Sequence, residues 1–294
     1  MTNPHAGIAV VNGSISLITE AKIPLTDRGF LFGHTVFETI LVSHGKIIAL
    51  EHHLERLQHS CQRSLIKQPN KDELEKLALK AIEENISLSK SINPKMALRI
   101  IITGGNSLDL PIKRTQDELP DPNVILICRN IIGPTTENYT HGINLKSLLD
   151  VRPKELVDIK SCNYLFNIMA LEDAYEHHFD DALFYDRDGI FTECTTANFI
   201  WFDDNHQIYS VPFKNNCLPG ITLTLLIEAL KESEIKFQWN SLTKDNLNLI
   251  AGCAILSSTR LILPVRKIDN TVFSIEKHAD FFKQLNELLR KKLN

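Results

Sequence analysis

The sequence predicts an α+β protein built from two unequal domains. The chain has 294 residues, about the length at which one hydrophobic core gives way to two. Short strands and amphipathic helices are mixed throughout, as in α+β and α/β architectures. The stretch IIGPTTENYTHG is rich in Gly, Pro and Thr and lacks apolar periodicity. We therefore expect a smaller N-terminal α/β domain at 1–131, a linker at 132–141 and a larger C-terminal domain at 142–294.

The N-terminal domain should begin with two β-hairpins. Turn signals at 12–13 (Asn-Gly) and 44–45 (His-Gly) each separate two apolar runs, which is a strong short-range hairpin pattern. Two amphipathic helices follow, the second with Asn70 as its N-cap. In the first of them, apolar residues recur at helical spacing: Leu54, Leu57, Cys61 and Leu65. The β-branched runs KMALRIIITGG and NVILICRN suit buried strands.

The C-terminal domain should again alternate strands and helices. A helix is expected from about Tyr164 to His178, followed by a hairpin that turns at 188–189. The remaining expected elements are the strands INLKSLLDV, ANFIWF, QIYSVP and CAILSST, the helix ITLTLLIEALKES and a terminal helix over SIEKHADFFKQLNELLRKKLN.

Composition excludes several classes of protein. The formal net charge is −4 and no long run of Lys and Arg is present, so a nucleic-acid partner is not expected. No stretch approaches the ~20 apolar residues that a membrane span needs, and the N-terminus lacks a secretory signal pattern. The six cysteines are scattered singly, as free thiols are in a reducing compartment. These features predict a cytoplasmic protein with no membrane partner.

Common nucleotide and metal motifs are missing from the sequence. It contains no phosphate-binding P-loop, no Gly-x-Gly-x-x-Gly fingerprint and no His-Glu-x-x-His pair. The adjacent histidines at 52–53 and 177–178 would point about 100° apart on a helix, which does not suit a shared ion. We expect no metal site.

Three polar positions next to apolar segments are candidates for chemistry. Lys160 lies in DIKSCNYLFN, just ahead of a predicted helix, and Glu193 lies at the end of a predicted strand, where an unpaired carboxylate is costly. The third position combines the Gly-initiated helix in LPGITLT with the hydroxyls of LSSTR, because a free helix N-terminus favours an anion. An amine, a carboxylate and a phosphate site are what pyridoxal phosphate needs.

The motifs resemble those of a known family. In order along the chain they are DRGFLFGHTVFETI, EHHLERL, RIIITGG, IKSCNYLFNIMALEDA, TECTTANFIWF, LPGIT and SSTRLILPV. Together they are similar to the class IV, fold type IV, enzymes that use pyridoxal 5'-phosphate. That family includes branched-chain aminotransferases, D-amino acid aminotransferases and 4-amino-4-deoxychorismate lyase. The resemblance implies a fold type IV enzyme, and it implies a homodimer with each active site near the subunit interface.

The resemblance also implies roles for individual residues. Lys160 would carry the cofactor as a Schiff base and act as the catalytic acid–base, and Glu193 would pair with the pyridine nitrogen. The phosphate would be bound by Arg56, the backbone amides of Ile221 and Thr222, and the hydroxyls of Thr222 and Ser258. Tyr164 could reach the phenolic oxygen of the cofactor, or it could simply pack in the helix core. Backbone amides at the turn of Thr259 and Arg260 would meet the substrate carboxylate.

Some positions depart from the family pattern and bear on specificity. His34 follows Gly33 where the family often has Asp. D-amino acid aminotransferases have a tyrosine where this chain has Phe37, and an arginine and a histidine where it has Leu108 and Leu110. These three apolar residues would line the substrate pocket and suit an aliphatic or aromatic amino acid.

Three functions therefore remain possible from the sequence. We favour an aminotransferase that acts on an apolar, branched-chain-like amino acid and a 2-oxo acid. The segments TECTTANFIWF and LQHSCQR are closer to 4-amino-4-deoxychorismate lyase, which would give p-aminobenzoate and pyruvate. A non-catalytic relative that only binds the cofactor is disfavoured, because Lys160, Glu193 and Arg56 are all retained.

Overall fold

The structure, a computed structural model, describes residues 7–89, 94–110, 119–214 and 216–293. It divides into two compact units. The first unit contains the chain up to Ile132 together with Ile159–Asn163, and the second contains Gly133–Asp158 and the chain from Tyr164 onward. The expected C-terminal domain at 142–294 differs from the second unit, because the segment with Lys160 returns to the first.

The first unit is built on an antiparallel sheet. Its strands are β1 (Ile8–Val11), β2 (Ser14–Leu17), β3 (Thr35–Ser43), β4 (Lys46–Ile47), β5 (Met96–Thr103) and β6 (Val124–Asn130). Their order across the sheet is β2-β1-β6-β5-β3-β4. The helices are α1 (Arg28–Phe32), α2 (Leu50–Arg63) and α3 (Lys71–Ser89).

Both predicted hairpins form at the predicted turns. Asn12 and Gly13 have φ values of 48° and 84° and connect β1 to β2, while His44 and Gly45, at 50° and 74°, connect β3 to β4. Positive φ at both turn residues matches the twist of the flanking strands, and it is the conformation that Asn and Gly accept most readily. The two hairpins place β1 and β3 at fixed positions in the sheet.

Helices α2 and α3 share a buried core with one face of this sheet. Val36 and Ile40 of β3 belong to the same core cluster as Leu54 and Leu57 of α2. Leu65 was expected to continue the apolar stripe of α2. However, the helix ends at Arg63, and Leu65 has a φ of 54° and an exposed side chain.

The second unit is built on a mixed sheet. Its strands are β7 (Ile143–Leu149), β8 (Asp181–Tyr185), β9 (Phe191–Cys194), β10 (Asn198–Phe202), β11 (Ile208–Ser210), β12 (Phe237–Trp239), β13 (Gly252–Ser257), β14 (Leu261–Ile268) and β15 (Thr271–Val272). Their order is β12-β11-β10-β13-β14-β7-β8-β9, with β15 beside β14. The helices are α4 (Thr136–His141), α5 (Leu165–Glu176), α6 (Ile221–Leu230) and α7 (Ala279–Leu293). Short 3-10 turns cover Lys154–Leu156, Lys244–Leu249 and Glu276–His278.

Several parts of the second unit differ from the sequence prediction, among them the short strands β12 and β15, which were not predicted. The expected linker contains α4, whose capping box pairs the side chains and backbones of Thr135 and Asn138. Strand β14 was not predicted, and it contains Pro264, a residue that usually argues against a strand interior. In the structure Pro264 lies opposite Ala254 of β13. Among the described helices, none is long and apolar enough to cross a membrane.

Candidate active site

Lys160 in the first unit is held against β3 by backbone hydrogen bonds. Phe37 N–H donates to the Lys160 carbonyl at 2.9 Å, and Cys162 N–H donates to the Thr35 carbonyl at 3.2 Å. Lys160 N–H donates to the hydroxyl of Ser60 on α2 at 3.2 Å. The half-buried ammonium group lies 4.6 Å from the centre of the Phe37 ring. This lysine therefore has a defined position beside an aromatic ring and is not a loose surface cation.

A fully buried carboxylate on β3, that of Glu38, pairs with two polar side chains of α2. Glu38 accepts from Arg56 Nε and Nη2, each at 2.7 Å, and forms a third 2.7 Å contact with His53 Nδ1. Burial alone would raise the pKa of Glu38, but the charge and hydrogen bonds of Arg56 and the hydrogen bond of His53 lower it to about 2. Glu38 is therefore ionised and fixes the Arg56 guanidinium as a planar fork.

His53 is buried beside this pair and lies within electrostatic reach of Lys160. Burial lowers the pKa of His53, and the charges of Arg56 and Lys160 act in the same direction, against the opposing effect of Glu38. His53 is therefore neutral at pH 7, and its hydrogen bond to Glu38 is donated from Nδ1.

A second arginine lies on the other face of β3. Arg99 of β5 stands opposite Thr39, so its side chain shares a sheet face with Phe37. Its guanidinium carbon is 4.0 Å from the centre of the Phe37 ring. Its Nε atom is buried and has no hydrogen-bond partner among the described residues. A buried guanidinium N–H without an acceptor is costly, and an incoming anion could satisfy it.

Phe37 was predicted to line the substrate pocket together with Leu108 and Leu110, and these two leucines lie in the segment after β5. Phe37 is buried, whereas Leu108 is 70% exposed and Leu110 is 64% exposed in the single chain. The segment is connected to α1, because Arg28 N–H donates to the Gly105 carbonyl at 2.9 Å and a side-chain N–H of Arg28 donates to the Asp109 carbonyl.

In the second unit, Glu193 is held by two donors at the end of β9. Arg152 Nη2 donates to one carboxylate oxygen at 3.1 Å, and the backbone N–H of Leu218 donates to the other at 3.1 Å. Arg152 is itself paired with Asp150 at 2.7 Å. Burial lowers the pKa of Arg152, but Asp150 and Glu193 outweigh that effect and raise it above its usual value. The two donors orient the Glu193 carboxylate.

The N-terminus of α6 lies close to Glu193 within the second unit. Asn198 stands opposite Glu193 in the sheet, and its side chain packs on Gly220, the N-cap of α6. A Cβ atom at Gly220 would lie 1.6 Å from Asn198 Oδ1. Gly220 offers the helix no side-chain cap, so the first N–H groups of α6, those of Ile221 and Thr222, are oriented to receive an anion.

The end of β13 adds hydroxyl groups to this region. Asn198 also stands opposite Leu256, so the turn that starts at Ser257 follows directly. The Ser257 hydroxyl is buried and has no hydrogen-bond partner among the described residues. Ser258 and Thr259 come next in the turn and are half-buried.

Arg260 has other partners in the structure. Its backbone N–H closes the turn on the Ser257 carbonyl at 3.2 Å, and its guanidinium pairs with Asp181 at 3.2 Å and with the Thr196 hydroxyl. The amide that was expected to meet a substrate carboxylate is therefore already bonded at Arg260. Tyr164 is the half-buried N-cap residue of α5, and its carbonyl accepts from Ile168 N–H at 2.8 Å.

The structure thus groups the predicted residues into two sets. Lys160, Arg56 and Phe37 lie together in the first unit, whereas Glu193, Ile221, Thr222 and Ser258 lie together in the second. Sequence reasoning missed Glu38, His53, Arg99 and Arg152. A signal was present for Glu38 and Arg99, since each is a charged residue inside an apolar strand. Among the described residues, no group of three or more His, Cys, Asp or Glu side chains could hold a metal ion.

Comparisons with known proteins agree with this architecture. The family model for amino-transferase class IV matches residues 35–268. A D-alanine aminotransferase from Staphylococcus aureus (strain MSSA476) is 27% identical over 278 residues, which cover 94% of each chain. The structure of a putative 4-amino-4-deoxychorismate lyase from Legionella pneumophila is similar at a TM-score of 0.79 and 26% identity, covering 92% of this chain and 96% of that one.

A third relative differs more in sequence. The branched-chain amino acid aminotransferase from Escherichia coli has a TM-score of 0.80 at 20% identity, with 96% of this chain and 92% of that one covered. At that identity the likeness concerns the fold, which is fold type IV. The family model, in contrast, spans most of the chain, including the segments with Lys160 and Glu193. The chain therefore belongs to the class IV aminotransferases, a family of enzymes that use pyridoxal 5'-phosphate.

Proposed function

We propose that this enzyme is an aminotransferase that exchanges an amino group between an apolar, branched-chain-like amino acid and a 2-oxo acid. The observation that carries the proposal is the placement of Lys160. Its backbone is fixed to β3, and its amine lies against the Phe37 ring, within electrostatic reach of His53 and in the same unit as Arg56. A lysine placed in this way can act as a nucleophile and as a proton carrier.

The second unit fits the phosphate and ring of the cofactor. Gly220 leaves the N-terminus of α6 open, and the buried Ser257 hydroxyl lacks a partner among the described residues. We propose that Ile221, Thr222 and Ser258 bind the phosphate there. Pyridoxal phosphate, when bound, supplies an electron sink for the charge left at the substrate Cα.

Each remaining residue then has a task of its own. Arg56, whose guanidinium is oriented by its two hydrogen bonds to Glu38, donates to the phosphate. Glu193, oriented by its hydrogen bond from Arg152, pairs with the pyridine nitrogen, and Tyr164 donates to the phenolic oxygen. Lys160 binds the cofactor through its amine and moves the proton between the substrate Cα and the C4′ atom of the cofactor.

The substrate is proposed to be recognised through its carboxylate and its side chain. Arg99 has a buried donor without a partner and lies on the same ring as Lys160, so it suits the carboxylate. Thr259 is the candidate amide donor at the turn after β13. Phe37, Leu108 and Leu110 provide apolar contacts, which favour an aliphatic or aromatic side chain over a polar one.

A lyase acting on 4-amino-4-deoxychorismate is the second candidate. The solved relative described as a putative 4-amino-4-deoxychorismate lyase is 26% identical to this chain. The segment TECTTANFIWF, which contains Glu193, is the one that resembles the lyase more closely. Both reactions begin with the same proton removal by the lysine, so the arrangement of Lys160 serves either.

We further propose a homodimer. Leu25, Phe30, Leu108 and Leu110 are exposed in the single chain. They belong to one surface, because Ser107 N–H donates to the Thr26 carbonyl at 2.9 Å and holds the two segments together. A contiguous exposed apolar patch marks an interaction site, and in this family the partner is a second copy. All six cysteines are free thiols, which is consistent with the cytoplasm.

The first experiment tests Lys160 directly. Purified protein is incubated with pyridoxal phosphate, reduced with sodium borohydride and mapped by peptide mass spectrometry. We expect the cofactor on Lys160, loss of the label in Lys160→Ala, and no change in Lys46→Ala, which alters an exposed lysine of β4. A label on another lysine in the wild type would refute the assignment.

The second experiment separates the two reactions. The enzyme is incubated with L-leucine and 2-oxoglutarate, with D-alanine and 2-oxoglutarate, and with aminodeoxychorismate. Amino transfer from L-leucine supports the proposal. Release of p-aminobenzoate and pyruvate identifies the lyase instead, and preference for D-alanine would contradict the role given to Leu108 and Leu110.

A further inference from the structure

His34, the residue that departs from the family motif, has two hydrogen bonds in the first unit. Its Nε2 atom is 2.7 Å from the carbonyl oxygen of Ser64, just after α2. Its Nδ1 atom is 3.2 Å from Nε of Arg28, at the start of α1. The backbone adds two more links, since Gly104 N–H donates to the His34 carbonyl at 2.9 Å and His34 N–H donates to the Arg28 carbonyl at 3.2 Å. His34 therefore connects α1, the end of α2 and the end of β5.

The two ring contacts define the protonation of His34. Arg28 is always a donor, so Nδ1 of His34 must accept and carry no proton. The carbonyl of Ser64 can only accept, so Nε2 must carry the proton and donate. His34 is thus the neutral Nε2–H tautomer, and a doubly protonated ring could not accept from Arg28.

Gly104 leaves the space that the ring occupies. A Cβ atom at residue 104 would lie 2.2 Å from His34 Nδ1 and 2.7 Å from its Cε1. The imidazole is therefore in direct contact with the backbone just after β5 ends. The segment 105–110, called here the substrate segment because it contains Leu108 and Leu110, begins at this point. Any larger residue at 104 would push the ring away from Arg28.

Arg28, whose orientation depends on His34, is hydrogen-bonded to the substrate segment. It is buried, its backbone N–H bonds the Gly105 carbonyl, and a side-chain N–H bonds the Asp109 carbonyl, between Leu108 and Leu110. The arginine side chain has several rotatable bonds, and an acceptor for its Nε–H fixes the orientation of the planar guanidinium. His34 Nδ1 is such an acceptor.

We propose that His34 is a positioning residue that orients Arg28 and thereby holds the segment 105–110 in the conformation that presents Leu108 and Leu110 to the substrate. The substrate part of this inference rests on the proposed function, while the effect on the segment does not. At this position an imidazole takes the place where the family often has a carboxylate.

The two nitrogen atoms of His34 can be tested separately. In His34→Asn, the side-chain oxygen can take the place of Nδ1 and accept from Arg28, but nothing reaches Ser64. In His34→Gln, the amide nitrogen can take the place of Nε2 and donate to Ser64, but the acceptor for Arg28 is lost. His34→Ala loses both bonds, and His44→Asn, at an exposed turn, is the control.

Hydrogen–deuterium exchange of the peptide covering 105–110 is the first readout and needs no substrate. We expect about tenfold faster exchange in His34→Gln and His34→Ala and near wild-type exchange in His34→Asn, since a hydrogen bond to a charged group is at stake. Equal effects of the Asn and Gln variants, or a wild-type result for Gln, would overturn the proposal.

Steady-state kinetics is the second readout. The KM for the amino acid should rise about tenfold in His34→Gln, with kcat and the visible absorbance of the lysine-bound cofactor unchanged, and His34→Asn should restore it. A loosened segment with an unchanged KM would overturn the substrate role of the segment. Faster exchange in an enzyme that fails to transaminate would instead uphold the positioning role and refute only the proposed function.

Discussion

The carboxylate of Glu38 and the guanidinium of Arg56 face each other through two hydrogen bonds of 2.7 Å, and the carboxylate is fully buried. A paired arrangement of this kind fixes the direction of the guanidinium. If Arg56 binds the cofactor phosphate, Glu38 determines where that donor points. Glu38 is then a positioning residue for the cofactor.

Replacing Glu38 by Gln should weaken both folding and cofactor binding. Breaking a buried ion pair on one side leaves Arg56 uncompensated, which costs about 3–5 kcal/mol of unfolding free energy. We expect a lower urea midpoint for the protein without cofactor and a Kd for pyridoxal phosphate raised at least about tenfold. Glu55→Gln, on the exposed side of the same helix, should change neither quantity. Unchanged cofactor affinity in Glu38→Gln would show that Arg56 does not depend on Glu38.

The stability of the first unit should fall in acid. The pKa of Glu38 is lowered from 4.5 to about 2 in the folded state. A depressed carboxyl pKa stabilises the folded state above pH 4.5, and this stabilisation of roughly 3 kcal/mol is lost as the pH falls towards 2. The pKa of His53 is also lowered in the folded state, so its contribution likewise decreases as the pH falls below 6.5.

Hydrogen exchange of the β3 peptide measured from pH 7 to pH 3, corrected for intrinsic rates, reports this loss. Between pH 4.5 and 3, the corrected exchange rate of the β3 peptide should change less steeply with pH in Glu38→Gln than in the wild type, because the glutamine cannot titrate. An identical slope in the variant would mean that other carboxyl groups control acid unfolding.

The sequence predicted features that depend on neighbouring residues. The turn at Asn12-Gly13 needs only two residues that accept positive φ, and it was placed correctly. The N-cap of α3 at Asn70 was also correct, since its side chain accepts from Glu73 N–H at 3.0 Å. Such local rules act within a few residues, so the sequence contains all of the relevant information.

Features that depend on residues far apart in the sequence were harder to predict. The local sequence does not distinguish Arg56 from a solvated helix arginine, because its partner Glu38 lies on a strand and not on its own helix. Leu65 had the right spacing for α2, yet the helix ends before it. Nothing local indicates that Lys160 returns to β3 and contacts Phe37. Side-chain partners across elements had to come from the folded structure.

Gly220 should not tolerate even a methyl group. Its backbone has φ −76° and ψ 125°, which any residue can adopt, so the effect of Gly220→Ala is purely steric. The added Cβ would collide with Asn198 Oδ1 and move the N-terminus of α6, and the Kd for pyridoxal phosphate should rise at least about tenfold.

The matched control is Gly133→Ala, where a Cβ meets no described atom within 4 Å. The double variant Gly220→Ala/Asn198→Ala removes the atom that is struck and should recover part of the cofactor affinity. Wild-type affinity in Gly220→Ala would show that the start of α6 does not bind the phosphate.

Cys162 should be the most reactive of the six cysteines. Burial raises the pKa of Cys61 and Cys128 to about 12 and that of Cys194, Cys217 and Cys253 well above the usual value. Cys162 is half-exposed. At pH 8 a thiol reagent such as 5,5'-dithiobis(2-nitrobenzoate) should modify one thiol rapidly, and Cys162→Ser should remove the fast phase. A fast phase that persists in the variant would place the reactive thiol elsewhere.

Arg99 should determine affinity for the substrate carboxylate. Its buried Nε has no partner among the described residues, and its guanidinium lies on the ring that Lys160 also contacts. In Arg99→Met the apolar chain keeps its packing but the donor is lost, so the KM for the amino acid should rise about tenfold or more, as expected for loss of a charged hydrogen bond. The matched change Arg129→Met, on the exposed end of β6, should leave KM unchanged. Because Arg99 is not assigned to the cofactor, the Kd for pyridoxal phosphate should stay constant, and a parallel loss of cofactor affinity would instead make Arg99 part of the cofactor site.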